Sequence, residues 1–321
     1  MDVRQFRYFV TVVELGSFSA AARYLGIAQP ALSRHVRSLE ERLGAVLLRR
    51  DVRGVQATEH GERLLHHASA ILRQFDMTND VVAGNEDTVS GRCVVGLPTS
   101  VNAVLAQPLI RASLARLPSV QLHVIESLSG FLQEWVEAGR LDICVLYDAR
   151  PGRALDLDAL LVENLCLVGR TGSFHDAAQD VRFQDIAHYP LAMPGAPHSL
   201  RRLLETMALS HGLCLNVVVE VDSLAVMKAI TEHDGVFTLL PKGAVFSEVA
   251  AGRLEARLIT APIVSRSVSI ATSAIRGRTQ ACEAVKRLIF EIAKELTRTG
   301  VWDPEGTLTG TARHAGAGAS R

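Results

Sequence analysis

Apolar side chains at the start of the chain recur at helical spacing and are cut off by glycines. Phe6, Phe9, Val10 and Val13 fall three and four apart, which predicts a first helix ended by Gly16. Ser17 or Ser19 can cap a second, short helix in which Ala21, Ala22 and Leu25 leave room for a close neighbour, until Gly26 breaks it. Pro30 then suits the first turn of a third helix, because its missing N–H would have had no intrahelical partner there. Along that helix Leu32, Val36, Leu39 and Leu43 form the expected buried stripe, leaving Gln29, Ser33, Arg34 and Arg37 on the opposite, exposed side. After Gly44, Val46-Leu47-Leu48 reads as a strand and Arg53-Gly54 as a turn, together a small wing.

A long helix follows, capped by Thr58 and running to about Val82, with Leu64, Ala68, Ile71, Leu72 and Phe75 at helical spacing. This face is expected to pair with the same helix of a second copy; the alternative is packing back onto its own head. The polar stretch from Gly84 to Gly91 reads as a hinge. Beyond it, strand-like and helix-like segments alternate. Cys93 to Leu97, Val120 to Ile125 and Ile143 to Leu146 are strands, separated by helices near Val101 to Arg116 and Ser129 to Ala138. A similar set spans about 162–265, after which Ser267 to Thr272 and a helix near Thr279 to Thr297 return to the first set. Such alternation implies βαβ units, a parallel sheet and two lobes with a cleft between them.

Two helices joined by a tight glycine turn, the second presenting a Gln/Ser/Arg face, make a helix-turn-helix whose second helix can enter a DNA major groove. Gln29 suits adenine and Arg34 guanine, while Ser33 and Arg37 suit phosphates, and the wing brings Arg50 and Arg53 to the backbone or minor groove. Any one of these polar residues is otherwise an ordinary solvated helix face. Their coincidence carries the reading.

In the second half, ligands of open α/β sheets sit beyond the strand C-termini, where helix N-termini present free N–H groups. Thr99 and Ser100 follow the first strand, Ser129 the second, and Pro197-His198 a strand of the second lobe, while Ser223 opens another helix. A serine at such a place is also an ordinary helix cap. Hydroxyl donors and the positive ends of helices predict a small organic acid as ligand.

Charge sharpens the picture. The chain of 321 residues is formally neutral, yet residues 1–58 hold nine arginines against five acids, a local excess suited to a duplex. No apolar run is long enough to cross a bilayer and no export signal opens the chain, so a cytoplasmic location without a membrane partner is expected. Cys93, Cys144, Cys166, Cys214 and Cys282 are scattered without a C-x-x-C pair, so reduced structural thiols are expected, with no metal and no cofactor. The alternative is a thiol-based redox sensor. Catalysis finds no support, since no nucleophile elbow, P-loop, dinucleotide fingerprint or H-E-x-x-H motif is present. A solute-binding transport protein would resemble the second half alone.

The stretch from Ser17 to Glu40, SFSAAARYLGIAQPALSRHVRSLE, resembles the LysR-type signature, and the likeness continues through Glu41-Arg42-Leu43-Gly44, Leu47-Leu48-Arg49-Arg50 and Thr58-Glu59-His60-Gly61. It extends more loosely to about residue 300. The phrases from Gly139 to Tyr147 and from Pro197 to Leu203 look like members tied to nitrogen assimilation or aromatic-acid catabolism.

This resemblance implies a prokaryotic transcription regulator, dimeric or tetrameric, on an inverted-repeat promoter site, with RNA polymerase as a further partner. It places Gln29, Pro30, Ser33, Arg34, Arg37 and Arg53 at the DNA and Ser100, Ser129, Pro197, His198 and Ser223 at the effector. The expected organisation is a winged helix-turn-helix head (1–58), a linker helix and hinge (59–90), and a two-lobed, periplasmic-binding-protein-like α/β effector domain (91–302). Its first lobe covers about 91–161 and 266–300 and its second about 162–265. The Gly/Ala/Thr-rich tail, 303–321, is expected to be disordered.

Overall fold

The computed structural model describes residues 2–51, 54–83, 89–150, 155–174, 180–196, 198–273 and 279–302. Arg53, Pro197, most of the expected hinge and the tail from 303 lie outside the described residues. The chain forms two compact units, of which the second begins at Val89.

In the first unit α1 (Val3–Leu15), α2 (Phe18–Leu25) and α3 (Gln29–Leu43) are each ended by a glycine in the left-handed region, Gly16, Gly26 and Gly44. Asp2 caps α1 and Ser17 caps α2, settling which serine serves. The wing is an antiparallel pair of β1 (Leu48–Asp51) and β2 (Gly54–Ala57), with Leu48 opposite Ala57. α4 covers Glu59–Ala83, and Thr58 Oγ1 accepts the Gly61 N–H at 3.1 Å.

Three expectations change here. Leu43 is 39% exposed and not part of the stripe, because the Gly44 turn brings Leu47 into the core in its place. Glu40 Oε1 holds that segment by accepting the N–H groups of Leu47 and Leu48 at 2.8 and 3.1 Å. Val46 is exposed and precedes the strand, which starts at Leu48. On α4, Ala68 and Leu72 are buried and, with Leu64, pack on Phe6, Phe9 and Val10 of α1. Of the five residues expected at a dimer contact, only Ile71 and Phe75 stay exposed, at 42% and 46%.

The second unit contains β3 (Gly91–Leu97), α5 (Thr99–Arg116), β4 (Val120–Glu126), α6 (Ser129–Glu137) and β5 (Ile143–Tyr147). The long β6 (Leu155–Arg170), β7 (Val181–Arg182), β8 (Leu191–Met193), α7 (Ser199–Ser210) and β9 (Val217–Glu220) come next. α8 (Leu224–His233), β10 (Thr238–Pro241), α9 (Phe246–Ala250), β11 (Leu254–Thr260), β12 (Ser265–Ser273) and α10 (Gln280–Arg298) complete it. Strands run β4-β3-β5-β12-β6-β11-β7, with β10 also on β6.

The sheet is mixed, where a parallel one was expected. β4, β3 and β5 are parallel, but β12 returns antiparallel between β5 and β6. β6 serves both lobes: its first part pairs with β12 and its last with β10 and β11. Strand alternation then divides its apolar residues, Leu165 and Leu167 entering one core and Cys166 and Val168 another. In the first lobe α5 and α10 cover one face of the sheet, burying Leu105, Leu109, Val285 and Leu288 against Val95 and Ile143. α6 covers the other through Leu132 and Val136. Among the described residues, no helix is long and apolar enough to cross a membrane.

Candidate functional site

α3 is the second helix of the helix-turn-helix. Its buried side, Leu32, Val36 and Leu39, turns Gln29, Pro30, Arg34 and Arg37 to solvent. Arg37 keeps 80% of its side chain exposed and meets Glu41 at 3.5 Å, a surface pair that gives way readily to a phosphate. Ser33 differs from its expected role: its Oγ is buried without a hydrogen-bond partner, turned away from the exposed face. The Arg50 side chain lies outside the described residues. Beside it, Arg49 is exposed on the wing and donates to Gln56 Oε1 at 2.9 Å, a cation that the spacing of the turn did not single out.

The second unit holds an open cavity of about 480 Å³, a volume that includes space continuous with solvent. Three strand C-terminal ends supply one side: Pro98, Thr99 and Ser100 after β3, Ser127 to Ser129 after β4, and Tyr147 as the last residue of β5. The second lobe supplies Pro194, His198 and Leu200, with Asp222, Leu224 and Met227 around the start of α8. Thr99, Ser100, Ser129 and His198 therefore converge as expected from the loops. Ser223 does not line the cavity. Its hydroxyl caps α8 by accepting the Val226 N–H at 3.4 Å, and its neighbours Asp222 and Leu224 face the space instead.

Arg266 of β12 forms the base, and nothing in the residues around it announced that role. Its guanidinium lies 3.5 Å over the Tyr147 ring, donates to Ser100 Oγ at 3.0 Å and donates to Glu163 Oε1 at 2.6 Å. Ser100 Oγ and the Tyr147 hydroxyl are 2.7 Å apart, and Trp302 Nε1 donates to Glu163 Oε2 at 2.9 Å. Burial pushes the Tyr147 phenol well above its ordinary value, so it stays a neutral donor and acceptor. Burial, followed by the Arg266 charge, holds the His198 imidazole below its ordinary value. His198 Nδ1 accepts the Leu200 N–H at 3.1 Å, which leaves the proton of the neutral ring on Nε2. α5 starts after Pro98 without a side-chain cap, so its first N–H groups remain available where Thr99 and Ser100 line the cavity.

A surface helix with exposed arginines on one unit, and a polar-based cavity on the other, define a DNA-binding head joined to a ligand-binding α/β unit. Residues 3–62 match the bacterial regulatory helix-turn-helix protein, lysR family, and residues 86–293 match the LysR substrate binding domain. The chain is 31% identical over 310 residues to the HTH-type transcriptional regulator BbuR of Bordetella bronchiseptica, covering 97% of this chain and 95% of that one. It is 32% identical over 294 residues to the nitrogen assimilation regulatory protein nac of Klebsiella aerogenes, covering 91% and 95%. A full-length OxyR variant from Pseudomonas aeruginosa shares the fold, with a TM-score of 0.74 at 23% identity over 90% of this chain and 98% of that one. The chain belongs to the LysR family of transcriptional regulators, and the relatives it matches here are regulators rather than enzymes.

Proposed function

We propose that this LysR-type regulator reads an inverted-repeat promoter site through Gln29, Pro30, Arg34 and Arg37 of α3 and through wing arginines including Arg50 and Arg53. A small organic acid in the second unit modulates that binding. Two heads related by a two-fold axis match a two-fold repeat, and Ile71 and Phe75 supply exposed apolar surface on α4 for a second copy, as a dimer or within a tetramer.

The observation that carries the effector reading is the set of donors around the cavity: the uncapped start of α5, Ser100, Ser129 and the Nε2–H of His198. Arg266 is already neutralised by Glu163, so the anion is held by hydroxyls and backbone N–H groups, with Arg266 orienting Ser100. Asp222, fixed by the Gly195 N–H at 2.9 Å, adds an acceptor on the other side. That combination favours a carboxylate bearing a hydroxyl or amino group. Effector binding closes the lobes of the second unit and shifts the population of promoter-bound states.

Calorimetry with a panel of organic acids, followed by footprinting upstream of the gene, tests this reading. Ser129→Ala is expected to weaken effector binding about 10- to 150-fold, the range of a lost hydrogen bond to an ionised group, while basal DNA binding persists. Binding restricted to neutral or cationic compounds overturns it.

A further inference from the structure

Away from the cleft, three groups that ligate soft metal ions meet at the opposite ends of the strands. Cys93 is the third residue of β3, Asp142 immediately precedes β5 and Cys282 lies in the first turn of α10. Two sulfurs and a carboxylate oxygen from these residues lie within 4.8 Å of one another. A tetrahedral ion with bonds of about 2.3 Å to sulfur and about 2.0–2.2 Å to oxygen sets its donors about 3.5–3.8 Å apart, so a small inward shift suffices.

The three are held from separate elements. Asp142 is locked to Val94 twice, its Oδ2 accepting that N–H at 2.8 Å and its own N–H donating to that carbonyl at 3.0 Å. Its other carboxylate oxygen has no hydrogen-bond partner among the described residues. The Cys282 N–H donates to Thr279 Oγ1 at 3.0 Å, which seats the thiol at the positive end of a 19-residue helix. Cys93 is fully buried, Cys282 nearly so, and Asp142 half-buried, so an ion has an approach from the Asp142 side.

We propose that Cys93, Asp142 and Cys282 bind one thiophilic divalent cation of the zinc type, with the fourth position left to water. Two thiolates select such an ion over magnesium or calcium, and no electron transfer is involved: each thiol releases its proton to solvent as its sulfur binds.

The carboxylate is what favours an ion over a disulfide. Reactive redox thiols sit beside cationic groups or at helix N-termini, either of which stabilises thiolate. Cys282 has the start of α10, but the charged group that sits beside both thiols is the Asp142 carboxylate. A cation between the three groups turns the carboxylate from an opponent of thiolate into a third ligand.

The test titrates the reduced, metal-stripped full-length protein with Co²⁺, whose thiolate charge-transfer and tetrahedral bands report the donor set. One equivalent per chain is expected, displaced by Zn²⁺. Cys93→Ser and Cys282→Ser each abolish the bands, Asp142→Asn weakens binding at least about tenfold, and Cys144→Ser, Cys166→Ser and Cys214→Ser keep them. Absence of a saturable band in the unaltered protein overturns the proposal, whatever the variants do. So does a band that survives in folded Cys93→Ser and Cys282→Ser proteins. Recovery of a Cys93–Cys282 disulfide after peroxide, from protein that never takes up Co²⁺, overturns it in favour of a thiol switch.

Discussion

Arg266 and Glu163 stand directly opposite each other on β12 and β6 and form an ion pair at 2.6 Å, with side chains only 2% and 1% exposed. A pair so withdrawn from water persists because every member is partnered. Glu163 also accepts from Trp302, and Arg266 also donates to Ser100 and covers the Tyr147 ring. The ladder between the two long strands thus fixes the base of the cavity.

Removing one partner exposes the cost of burial. Glu163→Ala is expected to destabilise the protein by about 3–5 kcal/mol, because it strands the Arg266 charge and the Trp302 N–H. Glu163→Gln, which keeps an acceptor, should lose less. Denaturant unfolding followed by fluorescence measures both, and equal stability of Glu163→Ala and the parent would show the pair to be dispensable.

His198 makes stability depend on pH in a definite direction. Its native value lies below its unfolded one, so the unfolded chain binds the proton more readily. Its neutral form is no burden above the ordinary histidine range. Stability falls as pH drops through that range and stops falling once pH is below the native value. His198→Asn retains an acceptor for the Leu200 N–H, so its melting temperature should decline less than the parent's between neutral and mildly acidic pH. Parallel profiles would remove His198 as a source of the dependence.

Gly61 lies where α4 begins against the wing segment. A Cβ there would stand 2.0 Å from the Leu47 carbonyl oxygen, closer than any side chain can be placed without moving backbone. Gly61→Ala should cost about 1–3 kcal/mol or more through overpacking, despite the better helix propensity of alanine. Thermal unfolding of the isolated change decides it, and a stabilised variant would contradict the close approach.

Arg34 and Arg37 should separate in their effect on DNA. Arg34→Ala is expected to cost about 1–3 kcal/mol and relax preference at one base pair, as loss of a bidentate guanine contact does. Arg37→Ala should weaken all sequences alike and lower the salt slope by about 1, as loss of a phosphate contact does. Binding isotherms on operator and scrambled duplexes at several salt concentrations distinguish them. A double change that leaves affinity and selectivity intact would dismiss this face of α3.

The helices of the head, the wing and the order of strands and helices in the first lobe of the second unit were legible along the chain, since each is set by local spacing, caps and glycines. So were Thr99, Ser100, Ser129 and His198, because a loop after a strand announces itself. Tertiary structure alone decided what strand register and helix packing decide: Arg266 opposite Glu163 across 103 residues, Asp222 in place of Ser223, and α4 burying Ala68 and Leu72 on its own head. Cys93, Asp142 and Cys282 belong to the same class, far apart in sequence and within 4.8 Å in space. Periodicity tells which face of an element is apolar; which other element covers that face, and which side chains meet there, depends on contacts between segments that share no local pattern.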